Sequence, residues 1–193
     1  MFIRFFFVIV LAVASTATHA SISNSNDSTI LIIGDSLSAG LGVTYNQAWP
    51  SLLQNRLKKE GYLIQVLNAG ISGDTTSGGA QRLPKLLDKH TPEIVVIELG
   101  GNDGLRGTSI KSIENNLRLM IELALNYDAK ILLAGMQLPP NYGNVYATSF
   151  QNLFPQLAIE YKIGLVERLI QRMMNETWQQ NLMQMDGIHP TAG

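Results

Sequence analysis

The chain has 193 residues, 46% of them hydrophobic and 15% charged, which is the composition of an ordinary globular protein with one domain. Its formal net charge of -1 gives no electrostatic reason to expect binding to nucleic acid or to an anionic membrane surface. Because the sequence has no cysteine, disulfides and a lipidated N-terminal cysteine are excluded.

The N-terminal segment has the pattern of a secretory signal peptide. A single positive charge, Arg4, precedes an apolar run over residues 5–14, and small residues with a Thr-His-Ala site follow at 18–20. The run is about half of the roughly 20 residues that a membrane-spanning helix needs. We therefore predict a cleaved signal peptide at 1–20, the alternative being an uncleaved anchor, and a disordered polar lead-in at 21–28.

From residue 29 onward, short apolar runs alternate with longer amphipathic segments. Strands are predicted at 29–34, 62–70, 93–101, 129–139 and 163–169, and helices at 48–61, 78–90, 109–128 and 147–162. Pro50 and Gly61 mark the two ends of the first helix, whereas Pro84 is expected to interrupt or begin the second. Apolar strands separated by helices indicate a parallel sheet covered on both faces, so the predicted fold class is α/β, three-layered, in one domain.

Three glycine-rich polar clusters follow the first three predicted strands: GDSLSAG at 34–40, NAGISGDT at 68–75 and GGNDGLRG at 100–107. In parallel sheets ligands bind at the carboxyl ends of the strands, where these clusters would meet. In the first cluster, Ser36 is interpreted either as a nucleophile at a helix N-terminus or simply as the N-cap of that helix.

The other two clusters offer hydrogen-bond donors. Gly70 and Gly73 permit close approach of a backbone N–H to a ligand, and Asn102 carries a neutral amide donor suited to an oxyanion. The simpler alternative for each cluster is a permissive turn. No G-x-S-x-G, P-loop or G-x-G-x-x-G motif is present in the sequence.

The C-terminal segment DGIHP at 186–190 places Asp186 three residues before His189, so the carboxylate can orient the imidazole as in a serine triad. The alternatives are a surface pair and a metal site, but no third ligand with suitable spacing is found. His90 lies at a predicted helix end on the opposite side of the sheet. His189 is therefore the histidine that we expect to activate Ser36.

These four segments resemble the signature blocks of the SGNH (GDSL) hydrolase family, and most closely its bacterial periplasmic thioesterase I, lysophospholipase and arylesterase branch. The resemblance implies a flavodoxin-like α/β/α sandwich with about five parallel strands, no metal and no cofactor. It also implies a periplasmic hydrolase, expected to be a monomer, that cleaves acyl-CoA, lysophospholipid or aryl esters through an acyl-serine intermediate.

By position, the resemblance assigns the nucleophile to Ser36 and the rest of the triad to Asp186 and His189. It assigns the oxyanion donors to the backbone N–H groups of Ser36 and Gly73 and to the side-chain amide of Asn102. Gly73 is the glycine that precedes Asp-Thr, as in the family block.

Five residues are further expected to line an apolar groove for the acyl group: Leu105, Met136, Leu138, Pro139 and Tyr142. Two alternatives stay open, a carbohydrate acetylesterase of the same family and a non-catalytic, truncated acyl-binding form. The second arises because family members continue past the His-Pro pair with a helix, which the predicted domain at 29–193 would lack.

Overall fold

The computed structural model describes residues 28–167 and 182–192. Within these residues, five strands form one parallel sheet: β1 (Ser28–Gly34), β2 (Ile64–Gly70), β3 (Ile94–Glu98), β4 (Lys130–Ala134) and β5 (Gly164–Val166). Their order in the sheet is β2-β1-β3-β4-β5, the flavodoxin-like arrangement.

In the described part of the chain, six helices connect the strands: α1 (Ser36–Ala39), α2 (Trp49–Lys59), α3 (Thr76–His90), α4 (Gly101–Leu105), α5 (Ile110–Asn126) and α6 (Asn144–Tyr161). Two short 3₁₀ turns lie at Tyr45–Gln47 and Pro140–Tyr142. The predicted α/β/α fold with five parallel strands is confirmed.

The two faces of the sheet are covered by different helices because neighbouring strand residues point in opposite directions. Leu31 and Ile33 of β1 belong to the large core cluster that contains buried residues of α3, α5 and α6. Ile30 and Ile32 belong to a smaller cluster on the other face, packed against Trp49 and other residues of α2 and β2. The sheet is therefore the middle layer of three.

The main differences from the predicted elements concern proline and the ends of strands. Pro84 lies inside α3, which begins at Thr76, so the prediction that Pro84 interrupts or begins this helix is wrong. The helix begins early because the Thr75 side chain accepts a hydrogen bond from the backbone N–H of Gly78. The predicted fourth strand is also too long, since β4 ends at Ala134.

The predicted signal peptide at 1–20 and lead-in residues 21–27 lie outside the described residues. Ser28 belongs to β1, so the predicted lead-in at 21–28 is one residue too long. Within 28–167 and 182–192, no helix has the length and apolar character needed to cross a membrane.

The register of the sheet brings the polar clusters together. Gly34 at the end of β1 pairs with Gly70 of β2 on one side and with Glu98 of β3 on the other. Because the three strands are parallel neighbours, the loops that follow them leave the same edge of the sheet side by side. The segments that contain Ser36, Gly73 and Asn102 are therefore adjacent.

Candidate active site

The turn after β1 presents Ser36 at the first position of α1. Asp35 is the N-cap of this helix, since its Oδ1 accepts a hydrogen bond from the Leu37 N–H at 3.0 Å. The alternative interpretation of Ser36 as the N-cap is therefore wrong. The turn also requires Gly34, because a Cβ there would lie 2.4 Å from Ser38 Oγ and 2.6 Å from Glu98 Oε2.

Ser36, His189 and Asp186 form a continuous hydrogen-bond chain. Ser36 Oγ lies 2.7 Å from His189 Nε2, and His189 Nδ1 lies 2.6 Å from Asp186 Oδ2. The other carboxylate oxygen of Asp186 accepts the backbone N–H groups of Ile188 and His189 at 2.9 and 3.0 Å. The carboxylate thus organises the turn that carries the imidazole, whereas His90 ends α3 at the opposite end of the sheet.

The electrostatics of this chain suit proton transfer from Ser36. Hydrogen bonds from the backbone N–H and the imidazole of His189, and then from the Ile188 N–H, lower the pKa of Asp186 to about 2. A carboxylate at Nδ1 holds the imidazole proton on that nitrogen. Nε2 is then the acceptor for the hydroxyl proton of Ser36.

Two backbone N–H groups in the loops at this edge of the sheet have no acceptor among the described residues. Neither the Ser36 N–H nor the Gly73 N–H donates a hydrogen bond to any residue in the part of the chain that the structure describes. Gly73 has a φ of +80°, a backbone conformation that favours glycine. In contrast, the Gly70 N–H donates to Asn68 Oδ1 at 2.9 Å. Of the two glycines, Gly73 has the free donor.

The amide of Asn102 is already engaged. Its Nδ2 donates to Asp35 Oδ2 at 3.0 Å and to the backbone oxygen of Asp74 at 2.9 Å. A primary amide has two N–H donors, so both have protein acceptors in this structure. The structure therefore places Asn102 beside the nucleophile turn, but donation to an oxyanion requires sharing or releasing one of these bonds.

Glu98 of β3 stabilises the nucleophile turn, a role that its sequence context does not reveal. Its side chain is fully buried, and Oε2 accepts the Asp35 N–H, the Ser38 N–H and the Ser38 hydroxyl at 3.3, 3.2 and 2.6 Å. Burial raises the pKa of Glu98 well above 4.5, and the nearby Asp35 charge raises it further. Burial also raises the pKa of Asp35, against the lowering effect of the Leu37 N–H.

Arg82 of α3 is a second supporting residue that sequence reasoning missed. Its guanidinium donates to Asp74 Oδ2 at 2.8 Å and to the backbone oxygens of Ala69 and Gly34 at 2.6 and 3.2 Å. These acceptors belong to the ends of β2 and β1 and to the loop after Gly73. Arg82 therefore ties together the backbone segments that position the two free N–H donors.

Asp103 fixes the short helix that carries Asn102. Its two carboxylate oxygens accept the backbone N–H and the hydroxyl of Thr76 at 2.8 and 2.7 Å. Asn116 of α5 donates to the same hydroxyl oxygen at 3.0 Å. This buried network connects α4 to α3 and α5, so the residue after Asn102 has a structural role.

The five residues predicted to line an acyl groove differ in burial, and the groove stays a prediction. Met136 and Leu138 are only 8% and 5% exposed and belong to the core. The reason is that the loop after β4 folds over α4, where a Cβ at Gly104 would lie 2.6 Å from Leu138 Cδ2. Leu105 and Tyr142 are half-buried, and the Tyr142 hydroxyl donates to the Leu105 backbone oxygen at 3.1 Å.

The arrangement has the parts needed for nucleophilic acyl transfer. A hydroxyl is hydrogen-bonded to an imidazole, the imidazole is oriented by a carboxylate, and two N–H groups with no acceptor among the described residues lie at the same strand ends. Among residues 28–167 and 182–192, no group of three or more potential ligands is arranged to hold a metal ion.

Comparisons with known proteins relate the chain to a hydrolase family. The model of the GDSL-like lipase/acylhydrolase family matches residues 32–193. Esterase TesA of Pseudomonas aeruginosa is 48% identical over 162 residues, covering 84% of this chain and 79% of the relative. Thioesterase 1/protease 1/lysophospholipase L1 of Escherichia coli is 41% identical over 163 residues, covering 84% of this chain and 75% of the relative.

A solved structure with a similar fold is the psychrotrophic esterase EstA from Pseudoalteromonas sp., inhibited by monoethylphosphonate. It has a TM-score of 0.80 and 37% sequence identity, and the match covers 86% of this chain and 89% of that chain. The similarity therefore includes both the sequence and the three-dimensional fold.

Proposed function

This chain belongs to the GDSL-like lipase/acylhydrolase family, and we propose that it hydrolyses acyl esters and thioesters through an acyl intermediate on Ser36. The observation that carries the proposal is the hydrogen-bond chain from Ser36 through His189 to Asp186. A serine hydroxyl alone is a weak nucleophile, and a base oriented by a carboxylate is what activates it.

In the first half of the reaction, Ser36 Oγ attacks the substrate carbonyl carbon while His189 Nε2 takes the hydroxyl proton. Asp186 stabilises the imidazolium that forms. The carbonyl oxygen becomes an oxyanion, for which the N–H groups of Ser36 and Gly73 are the donors, with Asn102 as the third. The imidazolium then gives its proton to the leaving alcohol or thiol as the acyl–oxygen or acyl–sulfur bond breaks.

In the second half, His189 removes a proton from water, and the resulting hydroxide attacks the acyl-Ser36 carbonyl. The same donors stabilise the second oxyanion. When the acyl–Oγ bond breaks, His189 returns the proton to Ser36 Oγ, and the carboxylic acid leaves. The cycle needs no metal or cofactor, because every proton is carried by His189.

Acyl esters and thioesters are favoured as substrates by the names of the relatives and by the surroundings of the site. The relatives include an esterase and a protein named both thioesterase and lysophospholipase. Exposed apolar side chains also lie within five residues of Ser36, Gly73 and His189 in the sequence, namely Leu41, Ile71 and Ile188 at 48%, 52% and 38% exposure. Such side chains favour an apolar acyl group over a sugar.

The proposal also covers the cellular location, the oligomeric state and the partner of the protein. The charge, apolar run and small residues of 1–20 support export, which for this family branch means the periplasm. The expected partner is a small-molecule or lipid acyl ester, bound by a monomer without nucleic acid and without stable membrane insertion.

The experiment that tests the proposed function compares three substrates under one set of conditions: an aryl butyrate, a long-chain acyl thioester and an acetylated sugar. We expect turnover of the first two and loss of that turnover in Ser36→Ala. Faster release of acetate from the sugar than of either other acyl group would instead indicate a carbohydrate acetylesterase. Binding of the acyl compounds without turnover would indicate the non-catalytic form.

A further inference from the structure

Gln184 connects the loop that carries His189 to the segment that carries Ser36. Its side-chain Nε2 donates to the Leu41 backbone oxygen at 2.8 Å and to the Pro190 backbone oxygen at 2.9 Å. Its backbone N–H donates to the His189 oxygen at 2.8 Å. Gln184 therefore binds the backbone carbonyls of both His189 and Pro190. It also binds residues 36–42, which carry Ser36 and which we call the nucleophile segment.

Gly42 provides the space that this amide occupies. A Cβ at Gly42 would lie 2.3 Å from Gln184 Oε1 and 2.5 Å from Gln184 Nε2, closer than any non-bonded contact allows. Gly42 also has a φ of +80°. The nucleophile segment is thus shaped to receive the Gln184 side chain immediately after Leu41, the residue whose oxygen accepts its hydrogen bond.

We propose that Gln184 is a positioning residue that keeps His189 in register with Ser36, through the contacts to Leu41, Gly42 and Pro190 that we call the Gln184 clasp. The inference rests on the proposed function. Gln184 has no hydrogen bond to Ser36, His189 Nε2 or Asp186 Oδ2, so its effect on the reaction is indirect.

Besides the Gln184–Pro190 bond of the clasp, other contacts maintain the internal geometry of the His189 loop. Met183 and Pro190 form an antiparallel bridge, and the Thr191 N–H donates to the Leu182 oxygen at 2.7 Å. Asp186 organises the tip of the loop. The loop can therefore keep its own shape, while its placement relative to the nucleophile segment needs contacts between the two.

The Ser36–His189 hydrogen bond cannot provide that placement throughout the reaction. Once Ser36 Oγ is acylated it has no proton to donate, so the bond to His189 Nε2 is lost in the acyl intermediate. The clasp remains, and it holds His189 where it must activate water. Loss of the clasp should therefore slow the deacylation step more than the acylation step.

The test measures kcat and KM for steady-state hydrolysis of an aryl ester. The fraction of acyl-enzyme during turnover is measured separately, by intact mass after acid quenching. In Gln184→Met, which keeps the length of the side chain but removes its donors, we expect kcat to fall by about 10- to 100-fold, the cost of misplacing a catalytic group by about 1 Å. KM should fall with kcat, and acyl-enzyme should accumulate.

A second variant changes the clasp at Gly42, its contact on the nucleophile segment. Gly42→Ala should displace the Gln184 amide and give the same kinetic change. Gly61→Ala is its matched control, because Gly61 has a φ of +85° but no atom within 4 Å of the added Cβ. Gly61→Ala therefore has similar backbone strain, and we expect wild-type kinetics from it.

Combining the changes makes the test independent of general destabilisation. In a Gln184→Ala background, Gly42→Ala should lower kcat no further than Gly61→Ala does, because no amide remains to be displaced. Full additivity of the two effects would overturn the clasp. If the wild-type chain is active and a folded Gln184→Met variant has an unchanged kcat, the clasp is overturned and the proposed function stands. If the wild-type chain is inactive, the proposed function is contradicted, and the clasp with it.

Discussion

Ser36 Oγ and His189 Nε2 lie 2.7 Å apart, although 153 positions separate the two residues in the sequence. Ser36 follows the first strand of the sheet, and His189 lies on a loop organised by Asp186. The fold thus joins a local Asp-His unit to a serine at a strand end. The proposed chemistry depends on this contact, and the effects on turnover of replacing His189 and Asp186 test it.

Replacing His189 should remove the general base. His189→Ala is expected to lower kcat by about 10⁴- to 10⁶-fold, the range for loss of a triad histidine. His90→Ala is the matched control, since His90 lies at the end of α3 away from the site, and it should leave kcat within about 2-fold of wild type by the usual behaviour of distant surface changes. Steady-state hydrolysis of an aryl ester measures both, and equal losses would count against His189.

Replacing Asp186 should weaken the base without removing it. In Asp186→Asn the amide cannot stabilise the imidazolium, so kcat should fall by about 10²- to 10⁴-fold. The protein should remain folded, because the Asp186 side chain is 43% exposed. The measurement is kcat at neutral pH, with circular dichroism as the folding control, and an unchanged kcat would exclude Asp186 from the mechanism.

Asp186 should also stabilise the folded chain, and this stabilisation should be lost at low pH. Its pKa is about 2 in the folded chain against an ordinary 3.8, so the unfolded chain binds its proton more tightly. The stabilisation is therefore complete above about pH 4 and is lost as the pH falls towards 2. The difference in unfolding free energy between wild type and Asp186→Asn should shrink over that range in urea titrations. A difference that stays constant from pH 5 to pH 2 would contradict this.

Loss of the Asn102 amide should affect the transition state more than substrate binding. Asn102→Ala is expected to lower kcat by about 10²- to 10³-fold with little change in KM, as for removal of one oxyanion donor. Asn126→Ala is the control for loss of an amide, because Asn126 is the exposed last residue of α5 and lies at the opposite end of the sheet from the nucleophile turn. A near-wild-type kcat would mean that the Asn102 amide keeps its bonds to Asp35 and Asp74 throughout.

Glu98 should make stability fall as the pH rises. Its pKa is raised in the folded chain, so the folded state binds the proton more tightly than the unfolded state does. The stabilising effect is complete below the unfolded pKa of about 4.3 and is lost as the pH rises through the folded value. Glu98→Gln removes this titration. The urea midpoint of Glu98→Gln should therefore rise relative to that of wild type as the pH increases from 5 through 7 to 9. A difference between the two midpoints that stays constant over this range would contradict the raised pKa of Glu98.

Much of the fold was predictable because its signals are local. Apolar runs separated by amphipathic segments indicate buried parallel strands, and a carboxylate three residues before a histidine can contact it within one turn. The glycine-rich clusters could be placed beside one another because parallel strands end at the same edge of the sheet. These inferences need no knowledge of long-range contacts.

The supporting residues could not be found in this way, because their partners are distant in sequence. Glu98 is the one acidic residue in an apolar strand, a weak signal that does not reveal its bonds to Asp35 and Ser38. Gln184 gives no local sign of its contact with Leu41, 143 positions away. Burial of Met136 and Leu138 likewise depends on how the loop after β4 folds over α4.

The most direct test of an acyl-Ser36 mechanism is the intact mass of the purified protein after exposure to a fluorophosphonate, beside a Ser36→Ala control. Such a reagent is attacked by an activated serine and leaves a stable phosphonyl ester. We predict one adduct on the wild-type chain and none on Ser36→Ala. A folded wild-type protein without an adduct, or equal labelling of both proteins, would contradict the mechanism.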